Sequence, residues 1–356
     1  MTYRIILIIS IVLLVAGVIM IRLDPPEMAS YLLIGGLAAL AVALQGFQRF
    51  RGFSYTFWIL SAVTVSLYYP GLFTGIGSFS FKLLIIPLLQ IIMFGVGSTM
   101  GIKDFEGVIR MPRGVLVGLV CHFIFMPLIG YSVARAFGFP AEIAAGIILV
   151  GSVPCGLASN VMSYLANANL ALSVTLTAVG TILAPLTTPF LMQWLAGAYV
   201  SVDFFAMMWD ITKIVLIPIG GGLLYNHFLG GRFHWLDKSM PVLSMVAIAF
   251  IITIITAAGR ESLLLVGPML VLACLIHNLS GYFLGYLSCK LLRMDERTCR
   301  TIALEVGLQN AGLASGLALQ MGKVATVGLA PAIFGPLMNV TGSSLATWWH
   351  SRPPKE

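Results

Sequence analysis

The segment Thr301–Ser315, with the sequence TIALEVGLQNAGLAS, decides how the rest of the chain is interpreted. It places the carboxylate of Glu305 close to the amides of Gln309 and Asn310, and it carries two glycines that are expected to interrupt a helix, Gly307 and Gly312. Because a charged side chain at the centre of a bilayer costs about 2.5–3.5 kcal/mol, we interpret Glu305 as a functional group. The alternative is a polar contact between packed helices.

The surrounding composition predicts an all-α polytopic membrane protein. The 356-residue chain is 59% apolar and 9% charged, whereas soluble proteins are about 45–50% apolar. Its apolar runs are about 20 residues long, the length of a helix that crosses a hydrocarbon core of about 30 Å. The predicted spans are Tyr3–Met20, Ala29–Phe47, Tyr55–Phe73, Phe81–Met100, Gly114–Phe137, Ala141–Ala166, Leu170–Ala198, Met207–Phe228, Pro241–Gly259, Leu263–Leu292, Thr301–Met321 and Ala325–Trp349.

The charges and cysteines exclude several other classes of protein. Most Lys and Arg residues fall in loops that are cytoplasmic if both termini are inside, so the positive-inside rule favours that orientation, and an inner-membrane location is expected. The net charge of +7 therefore needs no nucleic-acid partner, and the lipid bilayer is the partner expected. Five cysteines without CxxC spacing are interpreted as small hydrophobic residues, so no cofactor is predicted.

A short repeat indicates that the chain is built from two related halves. The tetrapeptide Gly-Leu-Ala-Ser occurs at Gly156–Ser159 and again at Gly312–Ser315, each time inside a glycine-interrupted span. Five predicted spans cover residues 55–198 and five cover residues 207–349, and an odd number of spans per unit inverts the second unit relative to the first. Broken helices in matching positions mark the binding site of many transporters.

The first interrupted span carries polar oxygens that match Glu305. Pro154 has no N–H to donate, so the helix is expected to unwind there, and Ser159 and Asn160 then begin the next half-helix. Ser173 and Thr177, together with Thr181, recur at four-residue spacing and share one helix face. One carboxylate among neutral oxygen ligands suits a monovalent hard cation, and sodium is the natural candidate.

These motifs resemble the bile acid:sodium symporter family. The resemblance rests on GLASNVMSYLA at Gly156–Ala166, NLALS at Asn169–Ser173 and EVGLQN at Glu305–Asn310, and it identifies the chain as a bacterial member. It implies ten helices in two inverted five-helix repeats with two crossing broken helices, preceded here by two additional helices. The implied division is residues 1–52 for the additional helices, 53–112 and 201–261 for a panel domain, 113–200 and 262–350 for a core domain, and 351–356 for a cytoplasmic tail.

The resemblance also implies the residues of three sites. One sodium ion would be bound by Ser159, Asn160, Ser173, Thr177 and Glu305. A second would be bound by Glu305, Val306, Leu308 and Gln309, the middle two through backbone carbonyls. A substrate cavity would contact Asn310 and Asn339, with Leu157 and Met338 beside them.

His122 departs from the family pattern. The family usually supplies a Gln to the second sodium site in a pattern like Gln-Phe-x-x-Met-Pro, whereas this chain has HFIFMP at His122–Pro127. An imidazole is a poor sodium ligand, so His122 either senses pH or is a hydrogen-bonded core residue. Leu157 and Met338 stand where some bile-acid-binding relatives have polar residues. The pair Gly35-Gly36 in the additional helices is interpreted as a helix-packing face.

The function predicted from these features is sodium-coupled import of a small or amphipathic organic anion by alternating access. An alternative keeps the fold but uses protons or no coupling ion, as His122 suggests. A remote alternative, an intramembrane enzyme, is disfavoured because the sequence has no HExxH or GxSxG motif and no paired intramembrane aspartates. Bile acids, hydroxy acids, keto acids and sulfonated steroids all remain open as substrates.

Overall fold

The computed structural model is almost entirely helical and describes residues 2–21, 26–47, 50–101, 104, 106–230, 234–352 and 354. The helices in this part of the chain are α1 (Thr2–Met20), α2 (Pro26–Gln45), α3 (Ser54–Tyr68), α4 (Ile85–Thr99), α5 (Gly107–Arg110), α6 (Pro112–Phe137), α7 (Ala141–Ser152), α8 (Ala158–Leu165), α9 (Leu170–Leu191), α10 (Phe204–Ile211), α11 (Ile217–Leu229), α12 (His234–Ala258), α13 (Arg260–Leu291), α14 (Glu296–Gly307), α15 (Ala311–Gln320) and α16 (Leu329–His350). Two short strands, β1 (Gly75–Ile76) and β2 (Phe79–Ser80), form an antiparallel hairpin.

The fold confirms an all-α polytopic membrane protein. Within the described ranges, seven helical stretches are long and apolar enough to cross a membrane. They are Thr2–Met20, Glu27–Gln45, Phe81–Thr99, Pro112–Phe137, Leu170–Ala196, Phe204–Leu229 and Arg260–Leu291. Three of them include short 3₁₀ or π-helical segments, at Phe81–Leu84, Met192–Ala196 and Thr212–Leu216.

Three of the other predicted spans differ from single long helices for local reasons, whereas those predicted at Pro241–Gly259 and Ala325–Trp349 correspond to the single helices α12 and α16. The span predicted at Tyr55–Phe73 is the 15-residue helix α3 followed by a 3₁₀ turn that Pro70 begins. The spans predicted at Ala141–Ala166 and Thr301–Met321 are each divided into two helices. Lys213, which lies inside an apolar run, forms an ion pair with Asp210 at 2.9 Å.

The first two helices form a hairpin that is attached to α3. Only Ser10 and Gly17 of α1 are buried, so most of this apolar helix faces outward. A Cβ added to Gly36 would lie 2.9 Å from the Leu14 side chain, whereas Gly35 has nothing within 4 Å, so only the second glycine of the predicted pair packs. The Ser54 hydroxyl on α3 donates to the Ala41 carbonyl of α2 at 2.7 Å.

The remaining helices pack in two groups. In one group α6 packs against α7, α9, α13 and α14, and α16 packs against α13. In the other group α12 packs against α3 and α4, and α4 packs against α11. α15 contacts both groups, since it packs against α16 and α7 on one side and α4 on the other. The panel and core roles of these groups and their inverted relation stay predictions.

Candidate functional site

Two helix breaks meet at the centre of the first group. The chain leaves the helix between α7 and α8, at residues 153–157, and again between α14 and α15, at residues 308–310. Cys155 and Gln309 form an isolated antiparallel bridge, and the Asn310 N–H donates to the Pro154 carbonyl at 2.9 Å. Each break therefore satisfies backbone groups of the other, which unwound chain at membrane depth requires. The prediction of two interrupted spans is confirmed.

Of the two glycines predicted to interrupt the helix, Gly307 lies at the break and Gly312 does not. Gly307 is the last residue of α14, but Gly312 lies inside α15 and so does not interrupt the helix. The side chain of Asn310 begins α15 instead, because its Oδ1 accepts the Leu313 N–H at 3.0 Å. Gly307 is required for packing, since an added Cβ would lie 2.2 Å from the Tyr282 ring.

Glu305 lies in a cluster of oxygen atoms from three helices. The Ser173 hydroxyl on α9 donates to Glu305 Oε1 at 2.5 Å and lies 2.8 Å from Asn160 Oδ1 on α8. The Thr177 hydroxyl lies 3.2 Å from Asn160 Oδ1, 3.3 Å from Ser159 Oγ and 3.3 Å from Glu305 Oε2. The structure thus brings together all five side chains of the first predicted sodium site.

Electrostatics make this cluster suited to a cation. Glu305 is 1% exposed, and no Lys or Arg of the described residues pairs with it. A buried carboxylate without a positive partner is expensive, so a bound cation would supply the missing charge. The hydroxyls of Ser173 and Thr177 now donate, but rotation about the C–O bond turns their lone pairs toward an ion.

Cys155 belongs to this cluster, and the sequence interpretation of it as a small hydrophobic residue was wrong. Its Sγ donates to Glu305 Oε2 at 2.7 Å and lies 3.5 Å from the Thr177 hydroxyl. Like the other four cysteines it is buried and free. The sequence feature that could have indicated this role is the position of Cys155 in the first break, between Pro154 and Gly156.

The residues predicted for a second sodium ion lie in and next to the second break. The Val306 carbonyl accepts the side-chain amide of Gln309 at 2.7 Å, and the next carbonyl, that of Gly307, accepts the Asn278 side-chain amide at 2.8 Å. Leu308 is fully buried. Gln309 Oε1 is also buried and has no hydrogen-bond partner within the described structure.

His122 connects the two breaks. Its Nδ1 lies 3.1 Å from the Glu305 carbonyl oxygen, and its Nε2 lies 3.0 Å from the Val153 carbonyl oxygen. The neutral ring donates from one nitrogen only, and the protonated ring donates from both. The imidazole is 4% exposed, so it is a buried, hydrogen-bonded residue as one of the two sequence interpretations expected. The interpretation as a pH sensor stays a prediction.

A second polar network supports the break from α13. Asn278, which holds the Gly307 carbonyl, accepts the Thr341 hydroxyl of α16 at 2.6 Å. The neighbouring His277 lies with Nε2 2.9 Å from the Met126 carbonyl oxygen of α6. These bonds join α13 to α6, α14 and α16, and the contribution of Thr341 had no signal in the sequence.

The four residues predicted to contact substrate line one cavity beside the breaks. Leu157, Asn310, Met338 and Asn339 contribute to a cavity of about 460 Å³ whose described lining residues include no charged side chain. Its walls come from both groups of helices and are mostly apolar, with residues such as Ile59, Met93, Ile251 and Ile252. Cys155, Thr177 and Gln309 also line it, so the cavity reaches the oxygen cluster.

A larger pocket, of about 790 Å³, lies elsewhere. It is lined by residues 201–207 and by Asp210, Gln320 and Lys323 among others, and it includes none of the predicted site residues. Size alone therefore does not identify the substrate site. The smaller cavity is the better candidate because it adjoins the buried carboxylate cluster and its walls are largely apolar.

The chain is similar in sequence to known membrane transporters. Residues 86–266 match the model of the sodium bile acid symporter family. The uncharacterized sodium-dependent transporter YocS of Bacillus subtilis (strain 168) is 37% identical over 310 residues, which cover 87% of this chain and 94% of that protein. The probable sodium/metabolite cotransporter BASS1, chloroplastic, of Arabidopsis thaliana is 34% identical over 75% of this chain and 67% of that protein. Its counterpart of the same name in Oryza sativa subsp. japonica is 31% identical over 90% of this chain and 80% of that protein.

Proposed function

Because the chain belongs to the sodium bile acid symporter family and is a sodium-dependent membrane transporter, we propose that it imports a small or amphipathic organic anion together with sodium. The observation that carries this proposal is the buried Glu305 carboxylate, which accepts hydrogen bonds from Cys155, Ser173 and Thr177 and has no cationic partner among the described residues. Sodium is bound, in this proposal, by Glu305 with Ser159, Asn160, Ser173 and Thr177. The chain carries a coupling ion as cargo and acts as a transporter, not as an enzyme.

The anion is proposed to occupy the 460 Å³ cavity. The first residues of α8 and α15, Ala158 and Ala311, line it, so the positive ends of two helix dipoles support a negative group there. Its mostly apolar walls favour a substrate with a hydrophobic body. Which organic anion fits is a matter of cavity shape.

Coupling of ion and substrate follows from shared residues. Thr177 is in the oxygen cluster and also lines the cavity, and the Cys155 thiol contacts Glu305 while lining the same cavity. A cation bound at Glu305 adds positive potential next to the cavity, where little solvent screens it, and so strengthens anion binding. By linkage the anion strengthens sodium binding by the same factor.

Alternating access is proposed to arise at the seam between the two helix groups. The cavity is lined by residues from both groups, such as Met93 of α4 and Ile251 of α12 on one side and Leu157 and Asn339 on the other. We propose that the core, residues 113–200 and 262–350, rocks against the panel, residues 53–112 and 201–261. The basic residues of the loops support an inner-membrane location with both termini in the cytoplasm.

Uptake into proteoliposomes tests the function. Purified protein is reconstituted, and uptake of a panel of radiolabelled carboxylates and sulfonates is measured with an inward sodium gradient or with choline in its place. We expect uptake of at least one anion that requires sodium and is lost in Glu305→Gln. The second candidate function is proton-coupled transport, which is motivated by the position of His122 between the Val153 and Glu305 carbonyls. Uptake that is driven by a pH gradient and does not respond to sodium would favour proton coupling over the proposal.

A further inference from the structure

The position of His122 suggests a role beyond packing. Its two ring nitrogens face carbonyl oxygens that belong to different interrupted spans, Val153 after α7 and Glu305 in α14. These atoms are separated by 31 and 183 residues from His122 in sequence, so one side chain of α6 joins both breaks. An ion that bridged the breaks at this point would bind the same two oxygens.

The carbonyls that follow Glu305 are also engaged by nitrogen donors of the chain. The carbonyl of Val306 accepts Gln309 Nε2, and that of Gly307 accepts Asn278 Nδ2. Three successive carbonyl oxygens at the end of α14, just before the second break, therefore face nitrogens; they belong to residues 305, 306 and 307. A hard cation needs several oxygen ligands at once, and an N–H that points at an oxygen repels a cation there.

The cluster around the Glu305 carboxylate has the opposite character. It consists of the two carboxylate oxygens, the amide oxygen of Asn160 and the hydroxyls of Ser159, Ser173 and Thr177, and the Cys155 thiol donates to Oε2. No side-chain nitrogen donates into this cluster among these contacts. The hydroxyls of Ser173 and Thr177 that donate to the carboxylate can rotate and turn their lone pairs toward an ion, whereas an N–H that faces one of the neighbouring carbonyls has no lone pair to offer in its place.

We propose that His122 takes the place of a second coupling ion, so that each chain binds a single sodium ion at the Glu305 carboxylate. The proposal rests on the proposed sodium-coupled function and specifies its stoichiometry. The proposal does not depend on the charge of the imidazole. Both the neutral and the protonated ring carry at least one N–H, and each nitrogen faces one of the two carbonyls. Unlike a second sodium ion, the imidazole stays attached to the protein throughout the transport cycle, so it carries no net charge across the membrane. One sodium ion that moves with one monovalent anion then produces no net current.

Counting sodium ions tests the proposal without knowledge of the substrate. Binding of ²²Na⁺ to the purified full-length protein in nanodiscs is measured at constant ionic strength, with choline as the replacing cation. We expect one saturable site per chain. Two sites per chain would overturn the proposal and leave sodium coupling intact, whereas no binding would overturn the proposed function itself.

The variant His122→Gln tests whether the imidazole is the cause. A Gln carbonyl oxygen is a sodium ligand and the imidazole is not, so this variant is expected to gain a second site. The matched control is His277→Gln, since His277 is also buried and also bonds a carbonyl, that of Met126, but has no contact with Glu305 in these bonds. It is expected to keep one site.

The outcomes are separable. A folded His122→Gln protein, judged by an unchanged melting temperature, that still binds one ion would show that His122 is not what excludes the second. If His122→Gln does not fold, the count on the natural chain decides alone, because one or two sites per chain support or refute the proposal directly.

Discussion

Replacing Glu305 by Gln tests the central inference about the ion site. The change removes the negative charge but keeps the shape of the side chain, and the amide oxygen still accepts the Ser173 hydroxyl that lies 2.5 Å from Oε1. The hydroxyl of Thr177 and the thiol of Cys155 can accept from the new NH₂ group in place of donating to Oε2. The variant is therefore expected to fold.

The magnitude follows from the charge that is lost. Two unit charges about 4 Å apart attract each other by about 4 kcal/mol at an effective dielectric constant of about 20. Sodium affinity is thus expected to fall by about a thousandfold. At a sodium concentration 100 times the Kd of the natural chain, binding stabilises that chain by about 2.7 kcal/mol, whereas the variant gains less than about 0.1 kcal/mol. Since the unpaired buried carboxylate is gone, the variant without sodium is expected to be at least as stable as the natural chain.

Thermal unfolding in nanodiscs, followed over a sodium titration with choline as the replacing cation, gives both quantities. Glu106→Gln is the matched control, because Glu106 is exposed and pairs with Arg110, far from the site in sequence, and its sodium response should be unchanged. A Glu305→Gln protein that folds and retains sodium affinity within tenfold of the natural chain would refute the assignment of the carboxylate as the ion ligand.

Three further changes follow from the same geometry. Asn160→Ala removes the oxygen that faces Ser173 and Thr177, and we expect a binding titration to give a sodium Kd weaker by about 10- to 100-fold, or about 1–3 kcal/mol. Unchanged affinity would exclude Asn160 as a ligand. Gly307→Ala would bring a Cβ to 2.2 Å from the Tyr282 ring, and we expect this variant to lose about 1–3 kcal/mol of stability. In the control Gly312→Ala the atom nearest to the new Cβ would be 3.3 Å away, so its melting temperature should be unchanged, and equal melting temperatures of the two variants would contradict this packing. Arg300→Ala removes a buried guanidinium that donates to three backbone carbonyls, and we expect a loss of at least about 3 kcal/mol in denaturant unfolding, with a smaller loss counting against its structural role.

The parts of the fold that the sequence predicts are those set by local chemistry. The apolar runs predicted the helices, and Pro154 predicted the first helix break. The cost of a buried charge indicated that the segment around Glu305, which holds the second break, is functional. The four-residue spacing of Ser173 and Thr177 correctly placed both hydroxyls on one face, since both contact Asn160 in the structure. Each of these signals is readable within a few residues of the chain.

What the sequence did not reveal depends on contacts between distant segments. The thiol of Cys155 is a donor to Glu305 only because α14 lies beside the first break, 150 residues later in the chain. The engagement of the Glu305 carbonyl by His122 likewise joins α6 and α14. Gly312 failed as a predicted helix breaker because the side chain of Asn310 already caps α15. Sequence patterns report which groups are available, and tertiary packing decides which of them meet.

The separation of Ser173 and Glu305 in the chain, 132 residues, has a consequence for biosynthesis. The α1–α2 hairpin and α3 are consecutive, so their contacts form as soon as α3 enters the bilayer. The ion site cannot form so early. The hydroxyls of α9 and the amide of α8 are inserted long before α14, and they are therefore already in place when the single buried carboxylate arrives. Glu305, the residue of this cluster that is most costly to place in the bilayer, is therefore inserted last, when the hydroxyls that donate hydrogen bonds to it are already in the membrane.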